Sequence, residues 1–145
     1  MDLPKGLPTS IALHGFEALV GIDLFSKFWQ SEIAVRSYDP EKFNQGQISL
    51  KEFDLLVLYS DHLSLLLEFN IGAGMSARYL DVTDNVKGTF LHANATPASV
   101  LTAGVGASVT SGFSILGQLS YCNPLVHDTI DEGSLDGSIR VAGHF

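Results

Sequence analysis

The stretch LSLLLEFNIGAGMSARY, Leu63–Tyr79, decides how the chain is read. Its odd positions, Leu63, Leu65, Leu67, Phe69, Ile71, Ala73, Met75, Ala77 and Tyr79, are all apolar or aromatic. Its even positions, Ser64, Leu66, Glu68, Asn70, Gly72, Gly74, Ser76 and Arg78, are polar or Gly except for Leu66. Side chains alternate between two faces along a strand, whereas on a helix they return every ~3.6 residues. The alternation therefore predicts one long β-strand with an apolar face and a polar face. At about 3.3 Å per residue it would span roughly 55 Å, whereas strands of ordinary soluble domains run about 3–10 residues. The apolar run Leu55–Ala77 is long enough to suggest a membrane helix, but Asp61, His62 and Glu68 interrupt it. A charge at a helix centre costs about 2.5–3.5 kcal/mol on insertion scales.

The same alternation recurs on both sides of this stretch. Ser10–Phe25 sets Phe16, Ala18, Val20, Ile22 and Leu24 against Gly15, Glu17, Leu19, Gly21 and Asp23. Phe28–Tyr38 sets Trp29, Ile33 and Val35 against Gln30, Glu32, Ala34 and Arg36. Ile48–Ser60 sets Phe53, Leu55, Val57 and Tyr59 against Glu52, Asp54, Leu56 and Leu58. Ser99–Thr110, Phe113–Cys122 and Leu135–Phe145 repeat the pattern, the last with Asp136, Ser138, Arg140 and His144 on its polar face. Short turns are expected at Ser26-Lys27, Asp61-His62 and Ser111-Gly112, and longer polar connections at Asp39–Gln47, Asp81–Thr96 and Asn123–Gly133. The chain thus reads as all-β: an antiparallel up-and-down meander of seven strands, in one domain spanning residues 1–145, with residues 1–9 an irregular N-terminal segment.

Composition narrows the class. The 145 residues are 46% apolar and 17% charged, which excludes a disordered chain. Cys122 is the single cysteine, so neither an internal disulfide nor a Cys-based zinc site can form. The net charge of −8 argues against a nucleic-acid partner that must be met with basic side chains. The N-terminus MDLPKGLPTS has no basic region followed by an apolar run, so it is not a signal peptide.

Two architectures fit a two-faced meander. A soluble lipocalin-like barrel buries the apolar face and binds a small apolar ligand. A transmembrane-type β-barrel turns the apolar face to lipid and the polar face inward. Three features favour the second. The polar face is rich in Gly and Ser, which suit a crowded interior. It carries both charge signs, Glu17, Glu32, Glu52, Asp54 and Glu68 against Arg36, Arg78 and Arg140, and Arg suits enclosed carboxylate pairing. Aromatics stand at the ends of the apolar stripes, Trp29, Tyr59, Tyr79, Tyr121 and Phe145, as in an interfacial girdle. The eight charged residues are expected to form an interior ion-pair network of structural role.

With these residues in view, the chain resembles the small outer-membrane β-barrels of Gram-negative bacteria, the OmpA/OmpX-like class. The terminal GSIRVAGHF, ending on Phe145, is similar to the signal by which the barrel-assembly machinery recognises its substrates. Phe53–Asp81 resembles a family of uncharacterised outer-membrane barrel proteins in its hairpin and its Arg-Tyr-x-Asp-like end. The resemblance covers most of Phe16–Phe145. It implies a porin-like envelope protein in contact with outer-membrane lipid, with a structural or surface-interaction role through its long loops. It departs from the class in having no leader and seven strands, where bacterial single-chain barrels have an even number. The resemblance puts the C-terminus on the periplasmic side, so the first and last strands both run downward and an eighth, upward strand is expected before residue 9. Residues 1–8 hold two prolines and are too few to span, so a leader and first strand are expected to be missing from the chain.

No catalytic, cofactor or metal site is expected. Ser60-Asp61-His62 brings three catalytic residue types together, but adjacent residues on a turn cannot orient as a triad. His14, His62, His92, His127 and His144 show no i,i+4 pair and no Cys partner. Gly72-Ala73-Gly74 and Gly104-Val105-Gly106 lie in strand patterns with no following helix, so they are packing glycines and not nucleotide loops. A lipid-modifying barrel enzyme with a Ser–His pair near the rim is the third reading, and no matching motif is present.

Overall fold

The protein is described by a computed structural model covering residues 13–43, 46–84, 89–92, 95–126 and 133–143. It is all-β. The strands are β1 (Gly15–Ser26), β2 (Trp29–Tyr38), β3 (Glu41–Phe43), β4 (Gly46–His62), β5 (Leu67–Asp84), β6 (Thr89–His92), β7 (Thr96–Thr110), β8 (Phe113–Pro124) and β9 (Ser134–Gly143). The long strands follow one another in the sheet in the order β1-β2-β4-β5-β7-β8-β9. Every pairing is antiparallel.

The seven expected strands are these seven with shifted bounds: β1 begins at Gly15 and not Ser10, β4 at Gly46, β5 runs on to Asp84 and β7 begins at Thr96. Three further corrections concern the connections. The decisive alternation does not start a strand at Leu63. β4 continues through Asp61 and His62, which pair with Phe69 and Glu68, so those two residues are not the turn. The turn is Leu63–Leu66. The backbone N–H groups of Leu63 and Ser64 donate to the carbonyl of Leu67, and the Ser64 hydroxyl accepts from the amides of Leu66 and Leu67. Alternation of apolar residues cannot distinguish a strand from a four-residue reversal, whereas a serine that caps its own turn can. Second, the first tight turn is Lys27–Phe28, one residue later than expected. Third, two of the polar connections hold short strands. β3 folds back on the start of β4, and β6 on the end of β5. Glu-Lys-Phe and Thr-Phe-Leu-His are too short to show a period.

The sheet is strongly curled. Four strands separate β2 from β9, which in a flat sheet would set them about 24 Å apart. Yet Arg140 of β9 donates to Glu32 of β2 at 2.9 Å. The curl creates an inside and an outside, and their chemistry is the reverse of a soluble domain's. Inside lie Glu32, Arg36, Glu52, Asp54, Arg78 and Arg140, each at most 6% exposed. Outside lie Leu55, Ile71, Leu101 and Ile139, at 51%, 52%, 59% and 83%. The stripe from Leu67 to Tyr79 thus faces out, with Asn70 buried and Glu68 half-buried on the other side.

The curl depends on small inward residues in β5 and β7. Gly74 faces the interior opposite Leu56. A methyl group there would strike the Leu55 carbonyl oxygen and the Leu56 Cα. Gly104 faces Asn70, whose Oδ1 would lie 2.8 Å from an added carbon. Gly74→Val should force β4 and β5 apart and cost about 1–3 kcal/mol, as overpacking does elsewhere. Ala73→Val, one residue along on the exposed face, should be nearly neutral. Urea midpoints of the two variants against the parent check this, and equal midpoints would rule out the close approach.

Candidate functional site: the charged lumen

Strand register assembles the interior charges. Glu17 stands opposite Arg36, Arg36 opposite Glu52, and Glu52 opposite Arg78. Residues directly opposite on adjacent strands share a face. Four neighbouring strands therefore present a row of alternating sign across the lumen wall. Arg36 Nε lies 2.5 Å from Glu17 Oε2, and its Nη1 lies 3.0 Å from Asp54 and 3.4 Å from Glu52. Arg78 pairs with the other oxygen of Glu52. Tyr38 adds a hydroxyl donor to Glu52 at 3.3 Å.

The far wall joins this row through the lumen. Arg140 places Nε 2.5 Å from Glu17 Oε1 and donates Nη1 to both oxygens of Glu32, at 2.9 and 3.2 Å. Arg78 donates to the Ser134 hydroxyl of β9 at 2.9 Å, and Ser134 donates to Asp136 at 2.7 Å. Arg36 reaches Ser120 of β8 at 3.5 Å, and Ser120 donates to Thr102 of β7 at 3.2 Å. Three guanidinium groups thus hold four carboxylates, Glu17, Glu32, Glu52 and Asp54. Each arginine is shared between β-strands of opposite walls.

Seven of the eight residues expected in the network meet there, and Glu68 does not. It stands opposite His62 and Gly106, at the short-turn end of the lumen. Ten residues of extended strand separate it from Arg78, roughly 34 Å along the chain, beyond any side chain's reach.

The interior is layered as well as charged. Along β4 the inward residues read Ile48, Leu50, then Glu52, Asp54, then Leu56, Leu58. Ile48 and Leu50 pack with Leu80 and Val82, while Leu56 and Leu58 pack with Ala98, Val100 and Cys122. The charges are thus flanked along the lumen by two apolar layers. Sequence reading placed Leu56 and Leu58 on the polar face but missed the layering. Its signal is the parity that Ile48, Leu50, Leu56 and Leu58 share with Glu52 and Asp54.

The aromatics divide between two levels. Trp29 and Tyr59 meet edge to face at 5.3 Å at the short-turn end, and Phe25, Phe28 and Phe69 extend the cluster. Those three phenylalanines were not expected in it, although each lies in or near a turn. Tyr79 and Tyr121 are exposed on the outer face toward the loop end. Phe145, the last of the expected girdle, lies outside the described residues, as do His127 and His144.

The Ser60-Asp61-His62 triplet forms no relay. Asp61 accepts from the Tyr59 hydroxyl at 3.1 Å and from the backbone amide of His62 at 2.7 Å. Among the described residues no cluster of His, Cys, Asp and Glu could hold a metal ion.

Removing Arg78 should leave Glu52 buried with half its compensation. Arg78→Met should therefore destabilise by about 3–5 kcal/mol. Combining it with Glu52→Leu should regain more than half of that loss, because the uncompensated charge goes with it. Urea unfolding, followed by Trp29 fluorescence, gives both numbers. A double variant no more stable than the single one would show that the charges do not act as a pair.

No family model matches this chain and no curated protein matches it, so its function has to be read from its own geometry.

Proposed function

We propose that this chain is an outer-membrane β-barrel protein that acts as a structural or surface-interaction element of a Gram-negative envelope through its long connections. The observation that carries the reading is the inverted burial: ion pairs inside, and an apolar band outside made of Val35, Leu55, Met75, Leu101 and Leu119 among others. In water that band would be an unusually large exposed apolar surface. In lipid it is the surface a barrel requires. Outer-membrane lipid is then its first partner, and the assembly machinery, meeting the last strand, its second.

The two aromatic levels support the same placement. Tyr59 pairs with Ile71, and Tyr79 lies eight residues further along β5. That is about 27 Å of strand, or roughly 20 Å along an axis tilted by ~40°, near the ~25 Å apolar band of outer-membrane barrels. The lipocalin-like alternative needs the apolar face inside and an apolar chamber, whereas this interior is occupied by arginines and carboxylates. A catalytic role finds no support in the described side chains, since the Ser60–His62 triplet is engaged as a strand end.

Depth follows from the register. Met75 and Leu55 face each other midway between the aromatic levels, while Leu67 opens β5 beside the turn. Met75→Arg and Leu55→Arg should each cost about 2–4 kcal/mol in lipid, and Leu67→Arg only about 0–1 kcal/mol. Refolding into phosphatidylcholine vesicles across a urea series measures these costs. If the chain stays in solution without detergent and all three variants behave alike, the membrane reading is wrong.

A further inference from the structure

Glu68 is the lumen carboxylate that the arginine network leaves out. It stands opposite Gly106 of β7, and one inward step along β5 Asn70 stands opposite Gly104. Gly104 in turn faces Gln118 of β8. Two consecutive inward positions of β7 therefore carry no side chain, and oxygen-bearing side chains flank them from both neighbouring strands. Those on β5 lean over the bare backbone. A carbon added at Gly104 would lie 2.8 Å from Asn70 Oδ1, and one added at Gly106 would lie 3.1 Å from Glu68 Oε1.

Two of these oxygens are buried acceptors without a donor. Asn70 and Gln118 are 7% and 3% exposed, and among the described residues neither Asn70 Oδ1 nor Gln118 Oε1 accepts a hydrogen bond. The orientation of Gln118 is determined by its neighbour. Thr102 donates its hydroxyl proton to the Leu119 carbonyl, so it can only accept from Gln118. Gln118 therefore presents its NH2 to Thr102 and turns its oxygen away. A buried acceptor left unmet costs about 1–3 kcal/mol. A water molecule could donate to both amide oxygens, but it would leave Glu68 without a counter-charge. Among the described residues Glu68 has no ion pair, because Arg36, Arg78 and Arg140 are held by Glu17, Glu32, Glu52 and Asp54.

We infer that the trough over Gly104 and Gly106 binds one hard, calcium-like cation, with Asn70 Oδ1 and Gln118 Oε1 as ligands and Glu68 supplying the negative charge. The donor set points to this class. All three groups offer oxygen, and amide carbonyls with a carboxylate suit calcium, whereas nitrogen and sulfur ligands would suit zinc or copper. Magnesium demands a near-ideal octahedron at about 2.0–2.1 Å, while side chains reaching in from strands about 10 Å apart form a looser cage. With one carboxylate, the site differs from the clusters of three or more His, Cys, Asp and Glu that the described residues lack. One charge also implies weak binding, with a Kd of about 10⁻⁴–10⁻³ M. The site is defined by register and burial, so it does not rest on the membrane reading.

Calcium titrated into the folded full chain at constant ionic strength tests this, with the heat of binding and the urea midpoint read together. One ion per chain is expected, with a midpoint that rises with calcium and with magnesium about tenfold weaker. Glu68→Gln keeps the side chain's shape and should weaken calcium binding by about tenfold or more, since one charge beside the ion is lost. Gln118→Met removes a ligand and should also weaken it. Asp23→Asn removes an exposed acid at the same end of the sheet and should change nothing. Should a variant fail to fold, the parent chain still decides: calcium should move the side-chain NH2 resonances of Asn70 and Gln118 ahead of all others. Absence of binding overturns the proposal, as do calcium binding that Glu68→Gln leaves intact and resonance shifts confined to other residues. Equal action of magnesium, or tighter binding of methylammonium than of calcium, overturns it too.

Discussion

Glu17, Arg36, Glu52 and Arg78 stand side by side on four adjacent strands, and everything else in the molecule is arranged around that row. A buried charge without a partner is untenable, and paired charges roughly break even against their desolvation. The row therefore adds little net stability, yet it dictates registry. Slipping any one of these strands by one residue would turn its charge outward and its apolar set inward. A meander of alternating strands has many near-equivalent registers, and the row selects one of them.

Arg140 extends the constraint from the sheet to the barrel. Backbone pairing determines which strands are neighbours, and small inward residues let the sheet curl, but neither sets how far the curl goes. Glu17 and Glu32 on one wall and Arg140 on the other do so, with Arg36 and Arg78 making lesser links to Ser120 and Ser134. The burial of these side chains then raises the strength of each pair by lowering the local dielectric. In the proposed membrane placement the same arrangement leaves the outer face between the two aromatic levels free of charged side chains, since the three lumen arginines have inward partners.

Much of this was legible in the sequence because β-strands report their faces residue by residue. Leu67 to Tyr79 shows which side chains share a face, and the mix of Arg with Glu and Asp on one side shows that this face is enclosed. What was not legible depends on distance across strands. Nothing in the neighbourhood of Glu68 distinguishes it from Glu52 until register places it at the far end of the lumen. The Leu63–Leu66 reversal continues the apolar alternation of its strand and so hides inside it. Phe25, Phe28 and Phe69 gather only because two turns come level with each other.

The ion pair between Arg140 and Glu32 joins residues 108 positions apart, and this separation orders the folding process in time. Neighbouring strands are also neighbours in sequence, so each hairpin can zip up on its own with short loops to close. The Arg140 contact requires the whole chain to be in place first, and its loop is the longest to close. The curled sheet is therefore completed last, at one residue, after the hairpins that carry its partners have formed. Until that moment the carboxylates of Glu17 and Glu32, neighbours on one wall, face a cradle still open to water, where their charge is solvated.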